Sequence, residues 1–181
     1  MFRLVFHMAI TVVANPVALS WSNFRPVPAR ITDPNDGTLI DALTRFNFSI
    51  PTTPPRTIDR QLALADPLVI TITPNAQVWR GLTQTAALLS HEQLHYDVGL
   101  VTGRALARQL MQLRAPNAPA LLSALQAAVR LHFTTRAGAL QKLYDQDTHH
   151  GQDARQQQMW KDKMTACLAN ALADQLSGLL L

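Results

Sequence analysis

The sequence predicts an α+β fold, and three observations carry that expectation. Residues 1–80 alternate short β-branched runs with turn clusters rich in proline and aspartate. Residues 81–181 are rich in Ala, Leu, Gln and Arg, all good helix formers. Strands gathered in one half and helices in the other imply a sheet packed on helices, not alternating βαβ units. A chain of 181 residues with 48% hydrophobic and 15% charged residues suits one globular domain with a sizeable core.

Taken in order, residues 1–14 read equally as a weak secretory signal and as a first strand. Arg3 precedes a short apolar run, which suits the signal. Val, Ile, Phe and Thr dominate it, which suits the strand. The run is broken by His7 and is too short to span a membrane. "DPNDG", residues 33–37, reads as a turn, since Asn, Asp and Gly tolerate positive φ. Phe46, Phe48 and Ile50 alternate with polar residues, as in a half-buried strand. Leu68, Ile70 and Ile72 alternate with Val69, Thr71 and Thr73, in a run bounded by Pro67 and Pro74.

Three helices are expected over about 82–113, 118–144 and 152–177, to within a few residues. "RAPNAP" separates the first from the second, and "DQDTHHG" the second from the third. The terminal "LSGLLL" reads as the end of the third helix, and no internal repeat is present.

The formal charge of +4 does not point to nucleic acid. Lys142, Lys161 and Lys163 are the only lysines, and the arginines are scattered singly, with no basic run or stripe. Cys167 is the only cysteine, so no internal disulfide framework exists.

The most informative stretch is "LLSHEQLHYDVG", residues 88–99. Residues four apart on a helix share one face, so His91 and His95 can bind one Zn²⁺ and leave room for a third ligand and a water. Glu92 would sit beside that water and could take its proton. Leu94, Val98, Val101 and Ala105 form an adjoining apolar stripe that would pack the helix down while the histidines face a cleft. The plainer alternative makes His91, Glu92 and His95 solvated surface positions.

A second cluster lies in residues 143–153, with Asp145, Asp147, His149, His150 and Asp153. If the second helix returns antiparallel to the first, this cluster approaches the start of the first helix, where the histidines are. Without a metal, the segment is a polar helix-ending loop with Gly151 in a left-handed cap.

"LSWSNFR" (19–25), "LLSHEQLHYDVG" (88–99) and "YDQDTHHG" (144–151), followed by Trp160, occur in this order. Together they resemble a bacterial family, domain of unknown function 922, regarded as secreted zinc-dependent proteases of the zincin superfamily. Asn23 stands where that family usually has Asp. The resemblance implies a zincin-like domain over residues 1–181, its strand-rich half carrying a sheet packed on a helical half that holds the His-Glu-x-x-His helix. It implies a Zn²⁺ cofactor held by His91, His95 and, best, His150, with Asp145 and His149 as alternatives for the third ligand. It makes Glu92 the general base, and Tyr144 or Tyr96 a donor to the oxyanion at the scissile carbonyl, though core packing is the simpler role for each tyrosine. Asp97 or Asp145 would orient a ligand imidazole. The expected activity is zinc-dependent peptide hydrolysis in the periplasm or outside the cell, on a peptide or protein substrate. The alternative is a zincin scaffold that binds without turnover.

Overall fold

The computed structural model describes residues 10–51, 54–65 and 67–181. It is α+β, with strands first and helices after, as the sequence predicts. Ile10–Ala14 form β1, parallel to the long strand β8 (Leu68–Trp79). Of the segment read as signal or first strand, residues 10–14 are thus strand, and residues 1–9 lie outside the described residues.

The sheet is organised around β8. β2 (Phe24–Val27) follows β1 along β8, also parallel, and β5 (Ala42–Ser49) pairs antiparallel along Thr71–Val78 of β8. The sequence reading ended this strand at Pro74, yet it continues to Trp79. β1 ends opposite Ile72 and β2 begins opposite Ala76, so Pro74 falls in the gap between them. There β8 has a strand on one side only, the setting in which a sheet accommodates proline. Three short antiparallel pairs complete the strands: β3 (Ile31–Thr32) with β4 (Leu39–Ile40), β6 (Arg56–Ile58) with β7 (Gln61–Ala63), and β9 (Gln175–Leu176) with β10 (Leu179–Leu180).

The helices begin where side-chain oxygens cap them. Thr85 accepts from the Leu88 N–H at the start of α1 (Ala86–Gln112), and Asn117 from Ala120 at the start of α2 (Ala118–Val129). Asp153 accepts from Gln156 at the start of α4 (Ala154–Ala169). α2 continues through a π-helical turn, Arg130–Arg136, into α3 (Ala137–Thr148). The third expected helix stops at Ala169 instead of 177, and "LSGLLL" forms the β9–β10 hairpin instead of a helix end. Ser177 and Gly178 both take positive φ, the two-residue turn that matches strand twist.

α1 is the middle layer. One side buries Tyr96, Leu106 and Leu110 against Ile70 and Ile72 of the sheet. The other buries the stripe Leu94, Val98, Val101 and Ala105 against Leu140 and Tyr144 of α3 and Trp160 and Met164 of α4. Gly99 lets the helix approach the sheet closely, since a Cβ there would lie 2.6 Å from the Phe46 ring. Among the described residues no helix is long and apolar enough to cross a membrane.

Candidate metal centre

His91 and Glu92 lie in the second turn of α1 and His95 in the third, and all are buried, at 3%, 2% and 6% exposure. The burial excludes the solvated-surface alternative, because polar groups are not taken out of water without partners or a task. All three line a cleft of about 510 Å³, whose other walls include Ala42–Thr44 of β5, Asp33, Asp145 and His150. α3 runs back along α1, as the short "RAPNAP" connection implies, and brings its last turn to the first turns of α1.

The residue that this return brings to the histidines is Asp145. Its Oδ1 lies 2.9 Å from His95 Nε2 and 3.3 Å from His91 Nε2, and the two imidazole nitrogens are 3.1 Å apart. Ligand atoms at a zinc's usual bond lengths of about 2.0–2.1 Å stand roughly 3.3 Å apart on a tetrahedron. The three atoms therefore outline one face of such a tetrahedron, and they could hold a metal ion. Burial alone would raise the Asp145 carboxyl, but the His95 and His91 imidazoles hold it far below the usual carboxylate range. Burial alone would lower His95, but the Asp145 carboxylate outweighs it and the imidazole sits above its ordinary value.

His150, expected as the third ligand, is not in this triangle. Its Nδ1 is 3.7 Å from Asp145 Oδ1, and its Nε2 is 3.0 Å from Asp36 Oδ2. α3 ends at Thr148, and His149, His150 and Gly151 all take left-handed φ of 48°, 52° and 81°. Three such residues turn the chain away from the helix axis. They carry His150 to the 33–38 loop, where it forms a separate group with Asp33 and Asp36. His149 is exposed. The left-handed residue that caps the helix is His149, not Gly151 as expected; Gly151 is left-handed two residues later, and a Cβ on it would lie 3.1 Å from the His91 ring.

Tyr144 takes the simpler of the two roles expected for it. It is fully buried behind His91, stacked on that imidazole at 4.7 Å, and its hydroxyl is engaged by the Gln157 side chain and the His91 carbonyl. Burial pushes its phenol well above the usual range. It does not line the cleft, so the core-packing role fits it better than the oxyanion role. Tyr96 is likewise interior, donating to the Ile72 carbonyl at 2.8 Å.

Neither Asp97 nor Asp145 orients a ligand imidazole from behind. Asp97 accepts from Gln93 at 2.8 Å, and Gln157 of α4 holds His91, its Oε1 lying 3.1 Å from His91 Nδ1. That contact holds Nδ1 on the side of α4 and leaves Nε2 toward Asp145 and His95. Gln157 has no sequence signal, because a glutamine in a polar helix is ordinary. Glu92 keeps one buried oxygen, Oε2, without a hydrogen-bond partner among the described residues. Buried polar atoms are rarely left without a partner, and this one belongs to a residue of the cleft wall.

The profile of a family described as bacterial protein of unknown function (DUF922) matches residues 29–151. No curated protein and no solved structure matches the chain. The matched span holds the edge strand β5, the His91–His95 turn and Asp145, and it ends at the glycine packed on His91. The chain belongs to the DUF922 family of bacterial proteins.

Proposed function

We propose that the protein is a zinc-dependent metallopeptidase of zincin type, with His91, His95 and Asp145 as the metal ligands and Glu92 as the general base. The observation that carries the reading is the triangle of donor atoms at 2.9, 3.1 and 3.3 Å. Two imidazoles and one carboxylate suit Zn²⁺, and three protein ligands leave the open position that a catalytic zinc site keeps. Zn²⁺ bound there supplies Lewis-acid polarisation of a carbonyl and makes water acidic near neutral pH.

The remaining chemistry belongs to the chain. Glu92 follows the first ligand on the same helical turn and lines the cleft, with one oxygen free of hydrogen bonds among the described residues, so it would accept a proton and return it to the leaving amine. β5 pairs only with β8 among the described residues, and its Ala42–Thr44 stretch lines the cleft. That strand supports a peptide held in extended form by strand addition, which presents a backbone carbonyl to the site. Gln157 keeps the His91 ring fixed through its far nitrogen.

The experiment is Glu92→Gln compared with the unaltered protein on a broad peptide library, with zinc measured in both. Glutamine preserves size but cannot take the proton. Zinc should remain, and hydrolysis should fall by the roughly 10²–10⁴-fold typical of losing acid–base catalysis. A zinc-loaded protein that hydrolyses nothing more than its Glu92→Gln form does would favour a binding module instead.

A further inference from the structure

Beside the cleft lies a second cavity, of about 340 Å³. His95 and Asp145 line both, as do Leu43 and Thr44 of β5, so the two cavities meet at the donor triangle. The wall away from the triangle is aromatic. Phe46 and Phe48 come from β5 and Phe133 from the π-helical turn, with ring centroids of Phe133 at 5.4 Å from Phe46 and 4.4 Å from Phe48. Phe48 is 42% exposed, so a sizeable part of its surface is left uncovered.

Two local features keep this space open. The π-helical turn is an uncommon geometry that often marks functional positions, and here it carries Phe133 and Thr134 into the cavity wall. Gly138 forms another part of the wall, at a point where a Cβ would meet nothing within 4 Å. Its φ is not positive, so the backbone does not demand glycine. A glycine within a continuous helix costs about 1 kcal/mol relative to alanine. At this exposed position it adds no side chain to the cavity wall.

We infer that this cavity is a specificity subsite that takes a bulky aromatic side chain from the substrate residue adjoining the scissile bond. The inference rests on the metallopeptidase reading and names its substrate preference. Thr44, Phe46 and Phe48 share one face of β5, since side chains alternate along a strand. A peptide added to the edge of β5 places every second side chain on that same face, against Phe46 and Phe48. Aromatic pairs across neighbouring strands and offset aromatic stacking both favour an aromatic occupant there. The volume lies at the small end of the roughly 300–1,000 Å³ range of ligand pockets, suited to one side chain and not a whole ligand.

The test uses two succinyl hydroxamates that differ only in the side chain next to the chelating group, benzyl in one and methyl in the other. Their binding to the zinc-loaded full chain is measured by calorimetry, with no turnover required. The benzyl compound should bind at least about tenfold more tightly, from burial of the ring. Gly138→Phe fills the cavity and should erase that advantage, leaving the methyl compound within about twofold of its original affinity. Phe133→Ala removes part of the wall and should reduce the advantage in a chain that keeps its helix. Equal affinities in the unaltered protein, or an advantage that survives Gly138→Phe, would overturn the subsite and leave the metal site standing. Failure of both hydroxamates on a zinc-loaded chain would also overturn it. A chain that takes up no zinc would remove the metallopeptidase reading itself.

Discussion

Gln157 Oε1 lies 3.1 Å from His91 Nδ1, and this contact decides which nitrogen of His91 faces the cleft. The same amide group turns its nitrogen to the Tyr144 hydroxyl, and Tyr144 stacks on the His91 ring. His91 is therefore fixed at its edge and on its face by two residues outside the donor triangle. His95 meets Tyr144 edge-on at 5.0 Å but lacks the second support, since its Nδ1 is buried without a hydrogen-bond partner among the described residues.

Gln157→Leu should weaken zinc binding by the roughly 10–100-fold typical of losing a contact that orients a ligand. The hydroxyl of Tyr144 would lose the same partner. Competition for zinc against a chromophoric chelator measures the change, and unaltered affinity would show that the His91 ring needs no such support.

Asp145→Ala and His150→Ala should part company. The first removes a donor atom from the triangle, and zinc affinity should fall by more than the roughly 10–100-fold of a supporting contact. The second removes a residue whose nearest carboxylate contact is with Asp36, at 3.0 Å, and stoichiometric zinc should stay. Metal analysis after dialysis separates them, and the reverse order would restore His150 as the third ligand.

How far the sequence showed this arrangement differs from residue to residue. The α+β division and all four positions of the α1 apolar stripe were legible, because hydrophobic periodicity reports burial directly. The approach of the 143–153 cluster to His91 followed from one short connection. The choice of Asp145 over His150 did not. It depends on where α3 stops and on three consecutive left-handed residues, and only Gly151 among them advertises that conformation. Pro74 hid half of β8, since the gap between β1 and β2 that accommodates it is a tertiary feature. The Ser177-Gly178 turn was a readable signal, but two-residue strands are too short for alternation to show.

Gly151→Ala should cost about 1–2 kcal/mol from its left-handed backbone alone. It should also weaken zinc binding, because the new methyl would press on the His91 ring from 3.1 Å. Gly37 provides the comparison: its φ is +81° as well, but a Cβ there meets nothing within 4 Å. Gly37→Ala should match the loss of thermal stability and leave zinc affinity intact. Equal zinc affinity in the two variants would contradict the contact with His91.

Asp97 should make the zinc-free protein less stable as pH rises. Burial pushes its carboxyl up to about 6, against the Gln93 hydrogen bond, which lowers it. An unfolded Asp titrates near ~3.9, so between there and 6 the folded state binds more protons. Stability contributed by the protonated form is complete below that window and lost above it. Asp97→Asn should raise the melting temperature at pH 8 by at least a few degrees, since each 1 kcal/mol gives roughly 2–4 °C in a domain of this size. At pH 3 it should change little. A gain of equal size at both pH values would show that charge burial is not the cause.

One metal on His91, His95 and Asp145 is the proposal on which the others depend. A crystal structure of the zinc-loaded protein, with anomalous differences measured on both sides of the zinc absorption edge, addresses it directly. A single strong peak should lie within about 2.0–2.2 Å of both Nε2 atoms and an Asp145 oxygen. A peak instead among Asp33, Asp36 and His150, or zinc held by His91 and His95 with His150 in place of Asp145, would contradict it.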